Sequence, residues 1–266
     1  MASHKYTNRL AGTSVLIVGG TSGLGFGVAE ALVEHGASNL YLSSSREAKV
    51  KSSIERLKKS YPEAKTNIVG WACDLGTEDT LESNIKDLFS KIDTKLDHIV
   101  FTAGDPLGMK SLADVDLAFF KKCGMVRFFA PFFITKYGAE KLNPGVNSSI
   151  TITTGAVAES PNKNWTTVAS YAAGLQGMTR NLAFELKPIR VNLIQPGAVE
   201  TELWDGAFGS DEDKAKALKA FGEKMATGQV GQVQDVTESY LYAMKDRNVT
   251  GTVIRTDGGG FIMGHA

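Results

Sequence analysis

The chain has 266 residues, 42% of them apolar, enough for one full-sized core, and no Pro/Ser-rich linker or block of like charge divides it. Lys plus Arg and Asp plus Glu balance at 29 each without a basic run, which argues against nucleic acid or an anionic membrane and for a small-molecule substrate of little charge. Cys73 and Cys123 form no CxxC pair, His4, His35, His98 and His265 show no metal-ligand spacing, and the most apolar window, FFAPFFI, is too short to span a bilayer.

The polar start, MASHKYTNRL, lacks an apolar signal core, so a cytoplasmic protein is expected. SVLIVG reads as the first strand, and VLIVGGTSGLGFGVAEAL passes from it into a helix through Gly19, Thr21, Ser22, Gly23, Leu24 and Gly25. Glycine allows a tight turn and close approach of a pyrophosphate, and the helix N-terminus adds free N–H groups and a positive dipole end. Gly36 then ends the helix. NLYLS is the second strand; after it stand Ser43, Ser44, Ser45 and Arg46 where an NAD-preferring site would carry an acid. A cation opening a helix is mildly unfavourable unless an anion compensates it, so Arg46 predicts a 2′-phosphate and hence NADP(H).

TNIVGWA is the third strand, followed by Asp74 and Leu75, a candidate seat for the adenine edge. After the helical EDTLESNIKDLFSKI, the fourth strand, LDHIVFTA, runs into Ala103 and Gly104, whose small backbone lets a flat cofactor lie close. Asp105 next to Pro106 reads as a turn residue. Arg127 stands in an otherwise apolar run, VRFFAPFF, as half of an ion pair with Asp105 or Glu159, or as a group that polarises a substrate carbonyl; Phe128, Phe129, Phe132 and Phe133 are expected in the core. SSITITT is the fifth strand and ends at Thr154. Trp165 is either pocket wall or a group that orients substrate. After the helical GMTRNLAFEL, IRVNLIQ is the sixth strand, with Pro196, Gly197, Val199 and Thr201 at its end to hold the nicotinamide amide. Residues 204–230 form a polar, Gly-dotted helical insert expected to act as a lid, and TVIRTDG is the seventh strand. The alternation predicts a single α/β domain over 1–266: a doubly wound, seven-stranded parallel sheet with helices on both faces, the Rossmann arrangement.

From Gly12 to Gly260 the chain resembles a short-chain dehydrogenase/reductase. The family's GxxxGxG is Gly19, Gly23 and Gly25, its DL pair is Asp74 and Leu75, its NNAG motif survives as Thr102, Ala103 and Gly104, and RVNxxxPGxxxT runs complete from Arg190 to Thr201. The resemblance implies the Rossmann fold, NADP(H) and a homo-oligomer, dimer or tetramer. The family's usual Tyr and Lys do not carry over: aligning GMTRNLAFEL places them at Val168 and Ala172. Tyr171 lies about 60° and about 4.5 Å from Val168 on a regular helix, and lacks the lysine. The family's Ser falls at Thr154 by strand pattern or Gly155 by spacing, and its Asn becomes Arg127.

The patterns VRFFAP, SSITITTG and LKPIRVN resemble a divergent fungal subset that includes the reductase/Diels–Alderases of bicyclic indole alkaloid pathways. In that subset an Arg and a D-x-x-W turn line the substrate site, which here implies Arg127, Asn162 and Trp165, with the carboxylate replaced by an amide. Three readings stand at this point: an NADPH-dependent reductase of a bulky apolar natural-product intermediate (imine, iminium or activated carbonyl), a cyclase using the cofactor-lined cavity, and a nonenzymatic NADP(H)-binding regulator.

Overall fold

Apolar runs buried on both faces become the strands of the computed structural model, which describes residues 6–202 and 210–264. β1 (Ser14–Val18) is buried along its whole length between β2 (Asn39–Ser44) and β4 (His98–Phe101), both parallel to it. With β3 (Asn67–Ala72), β5 (Ser149–Thr153), β6 (Arg190–Pro196) and β7 (Val253–Thr256) they form a parallel sheet in the order β3-β2-β1-β4-β5-β6-β7. All seven strands expected from the sequence are present. The chain winds outward from β1 through β3, then crosses back to β4 and winds the other way, so a crevice opens where β1 and β4 end.

The helices are α1 (Gly23–Glu34), α2 (Glu47–Ser60), α3 (Leu81–Ser90), α4 (Leu117–Gly124), α5 (Ala130–Gly138), α6 (Thr166–Glu185), α7 (Asp211–Gly222) and α8 (Val233–Lys245). Alternation along β1 divides the core in two: Leu16 and Val18 pack with Ile85, Ile134 and Leu175 on one face, while Val15 and Ile17 pack with Leu32 and Tyr240 on the other. Of the polar insert expected over 204–230, α7 covers twelve residues, begun by the Ser210 hydroxyl accepting from the Asp213 N–H; 204–209 lie outside the described residues. Its far end is tied to the sheet, since the Thr227 N–H donates to the Gly258 carbonyl at 3.0 Å and Val199 pairs with Gly231.

Between α4 and α5 the helix widens into a π-turn, Met125–Phe129, where the Ala130 N–H donates to the Met125 carbonyl five residues back. Pro131 gives the reason. It has no N–H for the Arg127 carbonyl, and its ring would crowd that carbonyl in a regular α-helix. The extra residue also corrects the expectation for the phenylalanines: Phe128, Phe129 and Phe133 pack against the core, but Phe132 is 41% exposed because the apolar spacing read across the turn does not survive the register change.

At the amino end of β6, Arg190 is buried and its guanidinium donates to the carbonyls of Val146, Ala243, Met244, Asp246 and Val249. Ala243 and Met244 lie in the last turn of α8, where carbonyls have no helical donor and the dipole favours a cation. Burial, opposed by Asp246, pulls the Arg190 pKa down to about 10. His98, fully enclosed beside Ser149, is pushed down to about 3, first by burial and then by Arg190, so the ring is neutral.

Candidate active site

Two glycines press the turn after β1 onto the end of β4. Gly19 has φ +94°, and a Cβ there would lie 2.4 Å from the Ala103 nitrogen; a Cβ at Gly25 would lie 2.3 Å from the Gly19 carbonyl oxygen and 2.4 Å from Thr102 Oγ1. The N–H groups of Gly19 and Gly20 donate to the Ser43 carbonyl, holding the turn against β2 as well. Thr21 is buried, Leu24 packs on the α1 side of the core, and Ser22 begins α1 in extended conformation without bonding the helix through its side chain. The first N–H groups of α1 therefore point into the crevice, and one has found an anion. Gly23 N–H donates to Glu202 Oε2 at 2.8 Å, with Thr201 packed over the same glycine. That carboxylate stands in for a pyrophosphate oxygen, so the turn fits the phosphates of a dinucleotide.

Farther along the crevice, Ser44 is half-buried, Ser45 and Arg46 are exposed, and Arg46 is the residue from which α2 starts. No carboxylate occupies 43–46, so a 2′-phosphate would meet a cation and hydroxyls there. Asp74, expected to receive the adenine edge, is exposed, and its carboxylate is fixed in a turn by accepting from Gly76 N–H at 2.9 Å and the Thr77 hydroxyl at 2.6 Å, one bond on each oxygen, with the buried Leu75 behind it. Ala103 lies against Gly19, as described. Pro196 ends β6, Gly197 packs where a Cβ would lie 2.8 Å from Asp257, Val199 is buried, and the segment ends with Thr201 over Gly23. The expected cofactor residues thus follow the carboxyl ends of β1, β2, β3, β4 and β6.

Arg127 reaches that crevice from the π-turn. Its guanidinium lies on Gly104, where an added Cβ would be 2.9 Å from Nη2 and 3.1 Å from the central carbon, so a side chain there would displace it. Nη2 donates to the Asp105 carbonyl, and Nε stands 3.1 Å from Asp105 Oδ1. This Nε and Oδ1 are buried and out of line for a hydrogen bond, so the contact is electrostatic. Burial holds the Arg127 pKa below the usual guanidinium range while Asp105 pulls it back. Of the two partners left open by the sequence, Asp105 is the one taken; Glu159 pairs with Arg255 instead, and Asp105 does more than shape the turn before Pro106.

The hydroxyls near α6 are engaged. Thr154 Oγ1 donates to the Ala172 carbonyl at 3.0 Å. Tyr171 Oη donates to the Phe120 carbonyl at 3.0 Å, and its ring is packed among Phe120, Phe128 and Phe129 over Gly124. Burial raises the Tyr171 pKa, with the Cys123 thiol adding to it. Val168 and Ala172 are buried. Trp165, half-buried, is the residue from which α6 starts, and its N–H closes a turn onto the Asn162 carbonyl through Asn164 at φ 67°. Asn162 itself is exposed, its amide directed to the Ser160 carbonyl at 3.4 Å, so the structure does not place it with Arg127 and Asp105. Among the described residues no group of His, Cys, Asp or Glu is placed to hold a metal ion, and no helix is long and apolar enough to cross a membrane.

Two features escaped the sequence reading: Glu202 on the α1 N-terminus and the π-turn itself. Pro131 within an apolar helical run was the available signal for the last.

Comparison with known proteins agrees with this geometry. The SDR-like Rossmann domain profile matches residues 6–263. The short-chain dehydrogenase/reductase fsr5 of Gibberella fujikuroi is 44% identical over 259 residues, 96% of this chain and 97% of that protein. The solved MalC Reductase/Diels-Alderase from Malbranchea aurantiaca superimposes with a TM-score of 0.89 at 36% identity, covering 96% of this chain and 99% of that one. A small-chain dehydrogenase solved in complex with NADPH superimposes with a TM-score of 0.74 at 27% identity, covering 94% and 99%. A glycine turn that accepts an anion, a β2 end without an acid and these relatives converge: the chain belongs to the short-chain dehydrogenase/reductase family and is an oxidoreductase that uses NADP(H).

Proposed function

We propose that the protein reduces a bulky, apolar, nitrogen-containing natural-product intermediate, an imine, iminium or activated carbonyl, without the tyrosine and lysine acid usual in its family. The observation that carries this is the state of the hydroxyls: Thr154 and Tyr171 both donate to helix carbonyls, and the aligned positions 168 and 172 are buried Val and Ala. Reduction of a ketone leaves an alkoxide that needs a proton or strong donors. Reduction of an iminium leaves a neutral amine that needs neither. NADPH, when bound, supplies the hydride. The chain's own contribution is to hold that cofactor through Gly19, Gly23, Gly25, Arg46 and Thr201, to shape the pocket with Trp165, and to polarise an acceptor with Arg127. A soluble homo-oligomer in the cytoplasm remains part of this reading.

The test is NADPH oxidation with 2-methyl-3,4-dihydroisoquinolinium beside the neutral ketone 1-tetralone. The iminium is expected to turn over and the ketone to lag by at least about tenfold, and Tyr171→Phe should leave the chemical step within about threefold. A large fall in Tyr171→Phe would return the acid to tyrosine and sink the proposal.

The likeness to a protein titled reductase/Diels-Alderase favours a second reading, ring closure in the same cavity with or without reduction. Product formed without NADPH consumption would support it.

Cofactor preference rests on Arg46. Arg46→Ala is expected to weaken NADPH by about 1.5–3 kcal/mol, the range for a hydrogen bond to a charged group, and to leave NADH unchanged. An unaltered ratio of the two affinities, measured by fluorescence titration, would remove Arg46 from the 2′-phosphate site.

A further inference from the structure

An isolated guanidinium in an apolar pocket would repel a cationic substrate, which is the wrong charge for an iminium reductase. Asp105 removes that difficulty. Its Oδ1 lies 3.1 Å from Arg127 Nε, and its backbone carbonyl accepts from Nη2, so carboxylate and guanidinium form one unit of zero net charge against Gly104. The two side chains are 33% and 27% exposed, so the pair is buried enough to be weakly screened and open enough to face a ligand. Of the lysines on this side, Lys110 lies over the Phe119 ring and Lys121 pairs with Glu78. The closeness to the cofactor turn follows from chain geometry, since Ala103 touches Gly19 and Gly104 touches Arg127, leaving the pair two residues from the crevice wall.

We propose that Asp105 is the specificity-determining residue for substrate charge: it cancels Arg127, so that a positively charged ring nitrogen can sit beside a guanidinium that keeps its Nη1 donors. This rests on the reductase reading for the location of substrate, but it concerns binding, and its test reads binding.

The probes are N-methylisoquinolinium, a permanent cation, and 2-methylnaphthalene, its neutral counterpart of the same shape, each titrated into protein saturated with NADP+. The wild type is expected to bind the cation at least as tightly as the neutral ring. Asp105→Asn, which keeps the shape and deletes the charge, should weaken the cation about tenfold or more and move the neutral probe less than about twofold. The double variant Asp105→Asn with Arg127→Gln restores zero net charge and should recover cation affinity to within about threefold of wild type; a merely structural role for Asp105 predicts no such rescue. Equal weakening of both probes in Asp105→Asn, or a wild type that prefers the neutral ring, overturns the proposal. If the wild type fails to reduce 2-methyl-3,4-dihydroisoquinolinium yet shows the charge pattern, the reductase reading fails and the assignment of Asp105 stands. If reduction proceeds and the pattern is absent, the reverse holds.

Discussion

With an activated carbonyl as the acceptor, Arg127→Ala is expected to slow single-turnover hydride transfer by about 100- to 1000-fold, the loss seen when one preorganised donor is removed from a developing charge. NADPH affinity should stay within about twofold, because Arg127 faces Gly104 and Asp105 and not the glycine turn. Arg127→Lys should recover only part of the rate. A compact ammonium cannot donate to the Asp105 carbonyl and lie flat on Gly104 while presenting a further N–H to substrate. The ion pair is partly open, so its loss should cost about 1–2 kcal/mol of stability, less than the 3–5 typical of a fully buried pair, roughly. Stopped-flow NADPH oxidation and thermal unfolding on both variants separate the effects. Unchanged transfer with a lowered melting temperature would make Arg127 a structural residue.

The largest stability effect is expected at Arg190. Its guanidinium serves five carbonyls, two of them at the end of α8, and Arg190→Ala would leave buried acceptors with neither donor nor water. The expected loss is about 3–5 kcal/mol, since each stranded buried polar group costs about 1–3 kcal/mol and partial relaxation offsets some of it. Arg190→Lys should recover a minority, because three donors on one nitrogen cannot reach carbonyls spread from Val146 to Val249. The check is the denaturant midpoint at unchanged slope. A shift smaller than about 1 kcal/mol would mean that water replaces the guanidinium.

The strands were legible because each is a short β-branched run such as ITIT or VNLI, buried on both faces and bounded by turn residues. The glycine turn was legible because part of its demand is local: Gly19 sits at φ +94°, and a Cβ at Gly25 would meet the Gly19 carbonyl. The substrate side was less so. Asp105 and Arg127 are 22 residues apart, and nothing local in Asp-Pro says which distant cation it meets. Glu202 reaches Gly23 across 179 residues, a contact created by the sheet order and invisible to periodicity. Phe132 was misplaced because a helical pattern was read straight through the point where Pro131 breaks the ladder. In Asp74 the motif gave the right strand end, while the carboxylate's own turn decided what it bonds.

The π-turn makes Arg127 a matter of chain length as well as of residue type. Met125–Phe129 holds one residue more than a regular α-helix would carry over the same span, and Pro131 just after it makes the wide turn the accommodating geometry. The arginine that lies on Gly104 is carried on that widened turn. The position of the arginine thus depends on the extra residue of the turn as well as on the side chain at 127. Anyone transplanting this arginine into another member of the family would need an insertion together with the substitution.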